Sequence, residues 1–544
     1  MAHASGIHKL LVANRGEIAA RIFRTCDRLA IETVAVAAPD DGGAFHTRRA
    51  GRVEEITGYL DPDEHVRAAK AAGADAVHPG YGFLAENAGF ADAVEAAGLA
   101  WIGPPPDAIR AAGDKLEAKR RASEEGVPVV PAGPPDEIGF PLMIKAAVGG
   151  GGRGMRVVRT PGELTEAVGA ARREAKAGFG DETVFFERFI ERSRHVEIQL
   201  LADEHGNVLS LGERDCSIQR RHQKVLEESP SPAVDAALRE RMSDAAIRFA
   251  ETIGYRSLGT AEFLVTDEEF FFLELNARIQ VEHPVTELVT DLDLVELQLR
   301  VAQGERLESV PSEPRGHAVE VRLYAEDPLS FLPQAGRVEA LELPDGVRVD
   351  AGVERGDEVP VAYDPMIAKL IGYSETRDEA LERLAEALSA TRISGVTTNL
   401  AFLRWLVRHP DVRAGRTTTS FLDEHPPLSR PFVDDGPWRG YWRLNRDASQ
   451  PSPPLRAPPQ VETTAQTDGS GGERSEVTAP MPGTVIRVLA AEGDRVRPRQ
   501  PLVVLEAMKM ETPVVSPYEA VVRAVHVSEG DRVAGGELLV ELEE

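Results

Sequence analysis

The stretch LGTAEFLVTDEEFFFLELNARIQVEHP, residues 258–284, decides the fold because its alternation can be followed residue by residue. Two apolar runs flank a turn centred on Glu268, which predicts a β-hairpin. In that hairpin Glu262 and Glu274 stand opposite each other, on the same face as Asn276. Directly opposed like charges destabilise a hairpin. The pattern therefore indicates a site for a hard divalent cation such as Mg²⁺, which prefers oxygen ligands and bridges substrate phosphates. The alternative is two solvated glutamates on an open face.

The same alternation continues beyond the hairpin. It places Arg278, Gln280 and Glu282 on the polar side of the chain, with apolar residues between them on the other side. A cation, an amide and a carboxylate in a row suit a small oxyanion. We expect Arg278 and Gln280 to hold such an anion and Glu282 to act as a general base toward its proton. The extended conformation is expected to end before Pro284.

A second motif, IKAAVGGGGRGM at residues 144–155, contains four consecutive glycines. Because these glycines carry no Cβ atoms, their backbone N–H groups can approach an anion closely, and Lys145 and Arg153 add positive charge. The motif lacks the Gly-Lys-Ser/Thr ending of a P-loop. It indicates a phosphate-binding loop of another kind, and the alternative is a flexible turn that binds no ligand.

Basic residues crowd a third stretch, ERDCSIQRRHQK at residues 213–224. The crowded residues are Arg220, Arg221, His222 and Lys224. In an acidic chain such a cluster favours contact with phosphate or carbonate, and a solvated loop is the alternative. Cys216 within the stretch is expected to be a small buried residue and not a nucleophile. His78, in VHPGYGF, is expected to be a hydrogen-bonded turn histidine and not a ligand.

Charge and cysteine content argue against several classes of protein. The chain has 62 basic and 89 acidic residues, a net charge of -27, which repels phosphate backbones and anionic lipids, so neither nucleic acid nor a membrane is an expected partner. No stretch approaches the ~20 apolar residues of a membrane span, and no signal peptide opens the chain. Cys26 and Cys216 form no disulfide framework. These features favour a soluble, cytoplasmic protein.

The length of 544 residues predicts three or four domains. Strand, turn, helix and strand patterns that begin at Lys9 open a parallel α/β layer. Between Pro314 and Asp423 a further unit is expected, with strands at HAVEVRLYAE, RVEALEL and IAKLIGY and a helix at RDEALERLAEALSAT. Residues 448–476 are mostly Pro, Ser, Thr, Gly, Gln and charged residues, which is typical of a linker.

The C-terminal part contains an internal repeat, because VIRVLAAEGDRV (485–496) aligns with VVRAVHVSEGDRV (521–533). Two copies of one four-stranded half predict a small pseudo-twofold β-sandwich. Lys509, in LEAMKMETP (505–513), lies between the copies, at the tip of a predicted hairpin. An exposed Met-Lys-Met tip gains nothing by burial, so we interpret Lys509 as a handle on a mobile domain.

These motifs together resemble the biotin-dependent carboxylases, specifically a biotin carboxylase of the ATP-grasp superfamily joined to a biotin carboxyl carrier domain. The resemblance covers about residues 7–423 and 477–544. It rests on motifs that occur in the family's order: ANRGEIA, HPGYGFLAEN, GDK, KAAVGGGGRGM, RRHQKVLEE, AEF, LELNARIQVEHPVTE, VEVRLYAED and EAMKM.

The resemblance implies an α/β and α+β fold of several domains. These are a Rossmann-like N-terminal domain (1–110), an ATP-grasp domain (111–313), a biotin carboxylase C-terminal domain (314–424), a linker with a truncated docking segment (425–476) and an all-β biotinyl or lipoyl-type sandwich (477–544).

The resemblance also implies roles for individual residues. The ATP contacts would be Lys115, Lys145, Gly151, Gly152, His195 and His222, with the hinge Glu187, Arg188, Phe189 and Ile190 against the adenine. The ligands of Mg²⁺ or Mn²⁺, also part of the ATP site, would be Glu262, Glu274 and Asn276. Bicarbonate would contact Lys224, Arg278, Gln280 and the backbone of Val281. Glu282 would be the base, Lys509 would carry biotin, and Arg322 would stabilise the biotin enolate, with a structural salt bridge as the alternative for Arg322.

The function implied is ATP- and bicarbonate-dependent carboxylation of biotin on Lys509, as the α subunit of an acetyl/propionyl-type acyl-CoA carboxylase. The implied partners are a biotin protein ligase and a separate carboxyltransferase β subunit, and the chain would form an oligomer. Other possibilities are a different ATP-grasp ligase, or a biotin carrier or scaffold whose ATP site is inactive.

The sequence departs from the family pattern in three places. Val148 replaces the first of five loop glycines, and the helix that usually precedes the glycine-loop strand is expected to be missing between Val130 and Phe140. Only PWRGYWRLN, residues 437–445, resembles the docking domain of long α subunits.

Overall fold

The computed structural model describes residues 6–147, 155–220, 223–267, 269–307, 314–328, 331–360, 362–425, 474–480, 483–498, 500–507 and 510–543. Several residues singled out in the sequence lie outside these ranges. They are Val148, Gly151, Gly152, Arg153, Arg221, His222, Glu268 at the predicted turn centre, Lys509 and the 437–445 segment.

The N-terminal unit is built on a five-stranded parallel sheet, as the opening strand and helix patterns predicted. Its strands, in the spatial order β3-β2-β1-β4-β5, are β1 (Lys9–Val12), β2 (Glu32–Ala37), β3 (Arg52–Glu55), β4 (Ala76–His78) and β5 (Ala100–Trp101). Its helices are α1 (Gly16–Arg28), α2 (Pro62–Ala72), α3 (Ala88–Ala96) and α4 (Pro106–Gly113), with one 3₁₀ turn (Thr47–Arg49). Helix α2 shows why these elements end where they do, because the Asp61 side chain accepts the backbone N–H groups of Asp63 and Glu64 and left-handed Gly73 closes the other end.

A small three-stranded sheet follows, with the order β7-β6-β8. Its elements, and those that lead into it, are α5 (Lys115–Glu124), α6 (Pro135–Ile138), β6 (Leu142–Ala146), β7 (Arg156–Val158), a 3₁₀ turn (Pro161–Glu163), α7 (Leu164–Phe179) and β8 (Val184–Arg188). The expectation of no helix between Val130 and Phe140 is wrong, since α6 forms one helical turn there. Pro135 at its first position and two acidic residues in its first turn favour that start.

The centre of the molecule is an eight-stranded antiparallel sheet with the order β13-β12-β9-β10-β11-β14-β19-β17. The strands from the first part of the chain are β9 (Arg194–Ala202), β10 (Val208–Arg220), β11 (Gln223–Ser229), β12 (Ser257–Val265) and β13 (Phe270–Asn276). Those from the later part are β14 (His317–Tyr324), β17 (Arg348–Ala351) and β19 (Met366–Ser374). Because β11 pairs with β14, one continuous sheet joins the two predicted units on either side of residue 313.

The hairpin of β12 and β13 has the predicted pairing, reached through an unpredicted bulge. Glu262 is the register partner of Glu274, and Thr260 that of Asn276. Nearer the turn, however, Phe263 pairs with Phe272, so Leu273 is an extra residue on β13. With this bulge, Glu262 and Glu274 stand directly opposite each other.

The elements that cover this sheet come from both sides in sequence. They are α8 (Ala236–Thr252), α9 (His283–Thr290), α10 (Leu294–Ala302), α11 (Arg377–Ala390), α12 (Leu400–Leu406), α13 (Pro410–Arg413) and α14 (Phe421–Glu424). The expected single strand RVEALEL is wrong: it is split into β15 (Gly336–Arg337), which pairs with β18 (Glu358–Val359), and β16 (Ala340–Glu342), which pairs with β20 (Arg392–Ser394). The sequence pattern carried no sign that the two halves pair with different strands.

The C-terminal unit is the predicted sandwich of two four-stranded sheets, ordered β21-β28-β26-β23 and β25-β24-β22-β27. Its strands are β21 (Arg474–Thr478), β22 (Gly483–Val488), β23 (Arg495–Val496), β24 (Pro501–Ala507), β25 (Met510–Val515), β26 (Ala520–Val525), β27 (Arg532–Val533) and β28 (Leu538–Glu543). Strands β24 and β25 form a hairpin whose last register pair is Ala507 with Met510. The sandwich has an apolar core of its own, with Val485, Leu505 and Leu542 fully or almost fully buried.

None of the helices in the described part of the chain has the length and apolar character needed to cross a membrane.

Candidate active site

The central sheet carries a row of charged side chains on neighbouring strands. Going across the sheet, they are Glu274 on β13, Glu262 on β12, Glu197 on β9, Lys224 and Glu227 on β11, Arg322 on β14 and Lys369 on β19. The loop that follows β13 adds Glu282 just before α9. Since the ladder fixes the strand positions, these groups are held by a rigid scaffold although they are far apart in sequence.

Lys224 lies at the centre of the first cluster. Its Nζ is 2.8 Å from Glu262 Oε1 and 2.7 Å from Glu282 Oε1, and it also donates to Glu197 Oε2 at 2.5 Å. We call Lys224 with Glu197, Glu262 and Glu282 the Lys224 cluster. All four side chains are nearly or fully buried, and Lys224 contacts all three carboxylates in a region of low dielectric. Arg214, which pairs with Glu197, and Arg322, which pairs with Glu282, help to offset their charge.

The charges of the Lys224 cluster shift its pKa values. Burial would raise the pKa of Glu282, but Lys224, Arg322 and Arg214 together hold it well below its ordinary range. Burial likewise opposes ionisation of Glu262, and Lys224 and His195 keep the pKa of that carboxyl low. The pKa of Lys224 is raised because its three carboxylates outweigh the effect of burial. At neutral pH Glu262 and Glu282 are therefore ionised, and Glu282 can accept a proton.

Arg322 joins Glu282 to a second carboxylate. Its Nη2 donates to Glu282 Oε2 at 3.0 Å and its Nε donates to Glu227 Oε1 at 2.7 Å. Burial raises the pKa of Glu227 to about 7, with Arg322 opposing that rise. Cys216 Sγ lies 3.9 Å from Glu282 Oε1 and is fully buried, and burial raises the pKa of this thiol far above its ordinary value. The prediction of a small buried residue beside the site is confirmed.

The residues that continue the hairpin parity stay together after β13 ends at Asn276. Arg278 donates through Nη1 to Gln280 Oε1 at 2.8 Å and through Nη2 to Asn276 Oδ1 at 3.1 Å, and Gln280 Nε2 donates to Glu262 Oε1 at 3.2 Å. A chain of hydrogen bonds thus connects the Arg278 guanidinium, through Gln280, to Glu262 of the Lys224 cluster. Leu275, Ala277 and Ile279 are buried, so the predicted two sides persist in the loop.

The backbone carbonyl of Val281 is held by a residue that lies far away in the sequence. Its carbonyl accepts a hydrogen bond from Lys369 Nζ at 2.7 Å, and that ammonium lies 3.3 Å from Glu17 Oε1 of helix α1. Lys369 and Glu17 are both buried, and Tyr81 donates a hydrogen bond to Glu17. One lysine therefore links the loop that ends in Glu282 to the N-terminal unit.

A second cluster lies on the other side of the hairpin and contains an excess of lysines. Lys115 Nζ is 3.0 Å from Glu274 Oε2, Lys145 Nζ is 2.6 Å from Glu187 Oε2, and Lys119 pairs with the other oxygen of Glu187. These five residues are named the lysine cluster. Burial lowers the pKa of Lys145 to about 8, helped by the charge of Lys115, and the pKa of Lys119 is lowered well below its ordinary value by burial and by the charges of Lys145 and Lys115. Three crowded ammonium groups form a site suited to a polyanion.

The carboxylates Glu262 and Glu274, with Asn276, form a donor set that fits a hard divalent cation. Two carboxylates and an amide oxygen are the ligands such ions prefer. Asn276 is 7% exposed, and its Oδ1, the atom that a cation would bind, accepts a hydrogen bond from Arg278 Nη2 at 3.1 Å. The charge of each carboxylate is offset by a lysine: Lys224 for Glu262 and Lys115 for Glu274.

The structure places seven predicted site residues in these two clusters: Lys224, Glu262 and Glu282 in the first and Lys115, Lys145, Glu187 and Glu274 in the second. His195 joins the first, with Nε2 at 3.1 Å from Glu262 Oε2. The hinge residues form the end of β8 and the two positions after it. The N–H groups of Arg188 and Phe189 donate to the carbonyls of Pro131 and Pro141, and the carbonyl of Ile190 accepts from the Ser193 hydroxyl. The side chain of Glu187, however, is 1% exposed and turned to the lysines, so only its backbone is left to face an adenine.

Sequence reasoning missed several members of the site. Glu197 could have been found, because His195, Glu197 and Gln199 alternate with buried apolar residues on β9. The other residues it missed are Arg214, Glu227, Glu320 and Lys369. Their roles depend on strand neighbours that are far away in sequence, and no local pattern marks them. His78 was placed correctly, since its ring contacts Gln298 and the N–H of Gly80.

Four family models match the chain. "Biotin carboxylase, N-terminal domain" matches residues 6–109 and "Carbamoyl-phosphate synthase L chain, ATP binding domain" matches residues 114–310. "Biotin carboxylase C-terminal domain" matches residues 320–424 and "Biotin-requiring enzyme" matches residues 475–542.

Curated relatives cover the same region. A biotin carboxylase of Halalkalibacterium halodurans is 46% identical over 440 residues, which cover 77% of this chain and 97% of that protein. Biotin carboxylase 2 of Bacillus subtilis is 46% identical over 440 residues, 77% of this chain and 99% of that protein. The alpha subunit of the mitochondrial methylcrotonoyl-CoA carboxylase of Dictyostelium discoideum is 45% identical over 444 residues, and the match spans 64% of its length and 77% of this chain.

A solved structure gives the same result for the fold. The biotin carboxylase domain dimer of Hydrogenobacter thermophilus 2-oxoglutarate carboxylase, in complex with MgADP, ADP and bicarbonate, matches with a TM-score of 0.76 and 40% sequence identity. The match covers 78% of this chain and 99% of that one.

Proposed function

This chain belongs to the biotin carboxylase family, and we propose that it is the α subunit of an acyl-CoA carboxylase that carboxylates biotin carried on its own Lys509. Its activity is the ATP-dependent carboxylation of biotin, and its cofactors are biotin, ATP and Mg²⁺. The observation that carries the proposal is Glu282, which is fully buried and held between Lys224 at 2.7 Å and Arg322 at 3.0 Å.

ATP binding is assigned to the lysine cluster. Lys115 and Lys145 would release their glutamates to contact the phosphates, which relieves the crowding of three ammonium groups. The ligand set Glu262, Glu274 and Asn276 would hold Mg²⁺, which supplies charge neutralisation on the phosphates. Gly151, Gly152 and His222 stay predictions, as they lie outside the described residues.

Bicarbonate activation is assigned to the Lys224 side of the hairpin. Arg278 and Gln280 would orient the anion beside Val281 and Lys224, and Glu282 would take its proton. When Lys224 turns toward bicarbonate, the carboxylate of Glu282 loses part of the charge that depresses its pKa and becomes a stronger base. The oxygen so deprotonated attacks the γ-phosphorus of ATP, the bond to the β-phosphate oxygen breaks, and ADP leaves. The product of this step is carboxyphosphate.

The second half of the reaction transfers the carboxyl group. Carboxyphosphate breaks into CO₂ and phosphate, the phosphate accepts the proton of the ureido nitrogen of biotin, and that nitrogen forms a bond to CO₂. Arg322 would stabilise the enolate oxygen of the deprotonated ureido group. Its exchange between Glu227, Glu282 and that oxygen would keep the guanidinium paired throughout, which avoids the cost of an unpaired buried charge.

The acceptor of the carboxyl group is proposed to bind another chain. The relative from Dictyostelium is an α subunit, and this chain spans less than two thirds of it. We therefore infer a separate carboxyltransferase β subunit, with acetyl- or propionyl-CoA as the acceptor, and an oligomer that contains both. The Met-Lys-Met tip motivates a biotin protein ligase as a further partner, and the two unpaired buried cysteines favour the cytoplasm.

Bicarbonate-dependent ATP hydrolysis tests the carboxylase half. We expect the purified chain with Mg²⁺ to hydrolyse ATP faster when bicarbonate is added, and Glu282→Gln to lose that stimulation by at least about 100-fold because the amide accepts no proton. Glu305→Gln is the matched control, since this glutamate is 48% exposed and paired only with Arg300 among the described residues. No stimulation in the wild-type chain would instead support a biotin carrier with an inactive ATP site.

A second assay tests the partner. The biotinylated chain alone should not convert acetyl- or propionyl-CoA to the carboxylated thioester. Turnover of either acyl-CoA by the purified chain would overturn the two-subunit proposal while leaving biotin carboxylation intact.

A further inference from the structure

Two imidazoles and a carboxylate meet near the end of the predicted biotin carboxylase C-terminal domain, on elements that play no part in the proposed reaction. His409 precedes α13, Asp411 lies in its first turn, and His425 follows α14. Asp411 Oδ2 is 3.4 Å from His425 Nε2 and 3.9 Å from His409 Nδ1. One ligand atom from each of the three residues lies within 4.8 Å of the others.

The two oxygens of Asp411 have separate environments. Oδ1 accepts both hydrogen bonds from Arg416, at 2.7 and 3.1 Å. Oδ2 is the oxygen that faces both imidazoles. Arg416 therefore orients the carboxylate through Oδ1 and leaves Oδ2 for a cation. Residues that hydrogen-bond to a metal ligand commonly orient it in this way.

One of the three separations already has the value that a small tetrahedral ion requires. Bonds of about 2.0–2.2 Å from zinc to nitrogen and oxygen place two ligand atoms about 3.3–3.5 Å apart on a tetrahedral ion. The distance between His425 and Asp411 already has this value. His409 has to approach by roughly half an ångström, which a small side-chain rotation provides.

The surroundings hold the rings and leave the site accessible. His409 lies against Trp405 and Phe421 at centroid distances of 5.0 and 5.1 Å, and His425 lies 4.9 Å from Phe421. The side chains of His409, Asp411 and His425 are 15, 25 and 34% exposed, so an ion can enter without unfolding the domain. Burial and the neighbouring His425 lower the pKa of His409, which favours the neutral imidazole that metals bind.

One existing interaction would be lost on binding. His409 Nδ1 accepts the N–H of Asp411 at 3.2 Å, a long hydrogen bond that caps α13. That N–H belongs to the first turn of a helix near the surface, where water can replace the imidazole. The loss is small compared with two metal-nitrogen bonds.

We propose that His409, Asp411 and His425 form a binding site for a divalent transition-metal ion such as Zn²⁺, with solvent as the fourth ligand. Two imidazoles and one carboxylate select zinc, copper, nickel or cobalt over magnesium and calcium, which prefer oxygen. The predicted Mg²⁺ site has the opposite donor set, two carboxylates and an amide, so the two sites discriminate between ions.

The position of the site gives it a consequence. The ion would join α13 to the residue that follows α14, where the predicted C-terminal domain of the carboxylase ends and the predicted linker to the biotinyl sandwich begins. It would stabilise that end of the domain. This inference does not rest on the proposed function and stands if the chain proves to be a carrier alone.

Zinc titration of the chelator-treated full-length chain in excess Mg²⁺ tests the proposal. We expect one Zn²⁺ site in the wild type, and at least about tenfold weaker binding in His425→Gln and in Asp411→Asn because each removes one ligand. The matched control is His526→Gln, since His526 also lies beside a carboxylate, Glu541 at 3.1 Å, but has no second imidazole next to it in the described residues. Equal Zn²⁺ affinity in the wild type and in His425→Gln would overturn the proposal.

A measurement on the wild-type chain tests the same site without relying on the folding of any variant. X-ray absorption of the Zn²⁺-loaded wild type should show two imidazole ligands. One imidazole would place the ion at His195, Glu197 and Glu262, and no imidazole would place it at Glu197, Cys216 and Glu282, the two other described groups of suitable residues; either result would contradict the assignment. The two variants should also retain bicarbonate-dependent ATP hydrolysis, because neither residue contacts the catalytic clusters.

Discussion

The two charged clusters on either side of the hairpin differ in the sign of their excess charge. The Lys224 cluster has three carboxylates and one ammonium, while the lysine cluster has three ammonium groups and two carboxylates. Glu262 and Glu274 are register partners on adjacent strands, and each belongs to a different cluster. By the charges within each cluster, the hairpin is the boundary between an anionic and a cationic half of one site, and Arg214 and Arg322 add cations beside the anionic half.

This difference separates the two tasks of the site. In the anionic half the cations Lys224, Arg322 and Arg214 depress the pKa of Glu282, which keeps it ionised and able to accept a proton. In the cationic half burial and neighbouring lysines depress the pKa values of Lys119 and Lys145, and a bound polyphosphate would stabilise their charged forms. If the clusters have these separate roles, a change in one should alter bicarbonate chemistry and a change in the other should alter ATP affinity.

Removal of the central ammonium in Lys224→Met should produce the largest effect. Three buried carboxylates would lose their shared cation, and we expect a loss of about 3–5 kcal/mol in the free energy of unfolding, together with all bicarbonate-dependent ATP hydrolysis. Urea unfolding measures the first and a phosphate-release assay the second.

The pH dependence of that loss has a defined sign. Glu262 and Glu282 have folded pKa values below their ordinary 4.5, so the stability they contribute is present above about pH 4.5 and is lost as the pH falls through the folded values. The difference between wild type and Lys224→Met should therefore be greatest at neutral pH and shrink in acid. Lys176→Met, at a lysine 69% exposed, is the control and should change stability by less than about 0.5 kcal/mol. A neutral-pH difference as small as the control's would remove the basis for the comparison.

In the cationic half, Lys145→Met should raise the KM for ATP at least about tenfold, with a much smaller change in the KM for bicarbonate. Its effect on stability should be small, because the substitution also relieves repulsion from Lys115 and Lys119. Initial-rate kinetics with each substrate varied in turn separate the two constants. Equal changes in both constants would show that the halves are not distinct.

The lowered pKa of Lys145 also predicts how ATP affinity and stability depend on pH. Its folded pKa of about 8 lies below the ordinary 10.5, so between these two pH values the folded chain has lost this proton while the unfolded chain keeps it. The penalty of the buried charge is therefore relieved, and stability rises, as the pH increases from about 8 to 10.5. Over the same window the KM for ATP of the wild type should rise, because an uncharged lysine no longer attracts phosphate. The KM of Lys145→Met should stay flat across that range.

Lys369→Met should change the function of the bicarbonate-binding half alone. Without the bond to the Val281 carbonyl, the loop that ends in Glu282 should shift, and we expect kcat to fall about 10- to 100-fold while the KM for ATP is unchanged. In Lys369→Met the buried carboxylate of Glu17 loses its lysine. The double variant Glu17→Gln with Lys369→Met removes that carboxylate, so it should be more stable in urea than Lys369→Met but no more active. Recovery of both would mean that Lys369 has only a structural role.

The smallest effect is expected at Glu320, whose two carboxylate oxygens have no hydrogen-bond partner among the described residues. Burial raises the pKa of Glu320 well above its ordinary value, so folding favours the protonated acid. Glu320→Gln should therefore change stability at about pH 4.5 by less than about 0.5 kcal/mol. The wild type should lose stability as the pH rises from about 4.5 through the raised folded pKa, and the variant should lack that loss. An equally pH-dependent variant would show that Glu320 is not the titrating group.

The sequence predicted the anionic half better than the cationic half, and the reason is locality. The pairing of Glu262 with Glu274 and the positions of Arg278, Gln280 and Glu282 follow from alternation within one short stretch of chain, residues 258–284. The pairing of Lys119 with Glu187 joins residues 68 positions apart on different elements, and no alternation records it. The bulge at Leu273 was equally invisible, because alternation alone does not report an unpaired residue.

The same reasoning explains the rest of the fold. The sandwich was predictable because its halves repeat in sequence, and the parallel sheet because its opening strand and helix pattern is local. The continuation of the central sheet from β11 to β14 depends on two strands about 95 residues apart. That contact brings Arg322 and Lys369 to Glu282, and only the folded chain reveals it.

The most direct test of the account is a carboxyl label at Lys509. The biotinylated chain, incubated with MgATP and labelled bicarbonate, should acquire acid-labile label that peptide mapping locates at Lys509. The label should be absent from Glu282→Gln and Lys509→Ala and unchanged in Glu305→Gln. Label in Glu282→Gln equal to that of the wild type, or no label on a wild-type chain with biotin verified at Lys509, would contradict the central claim.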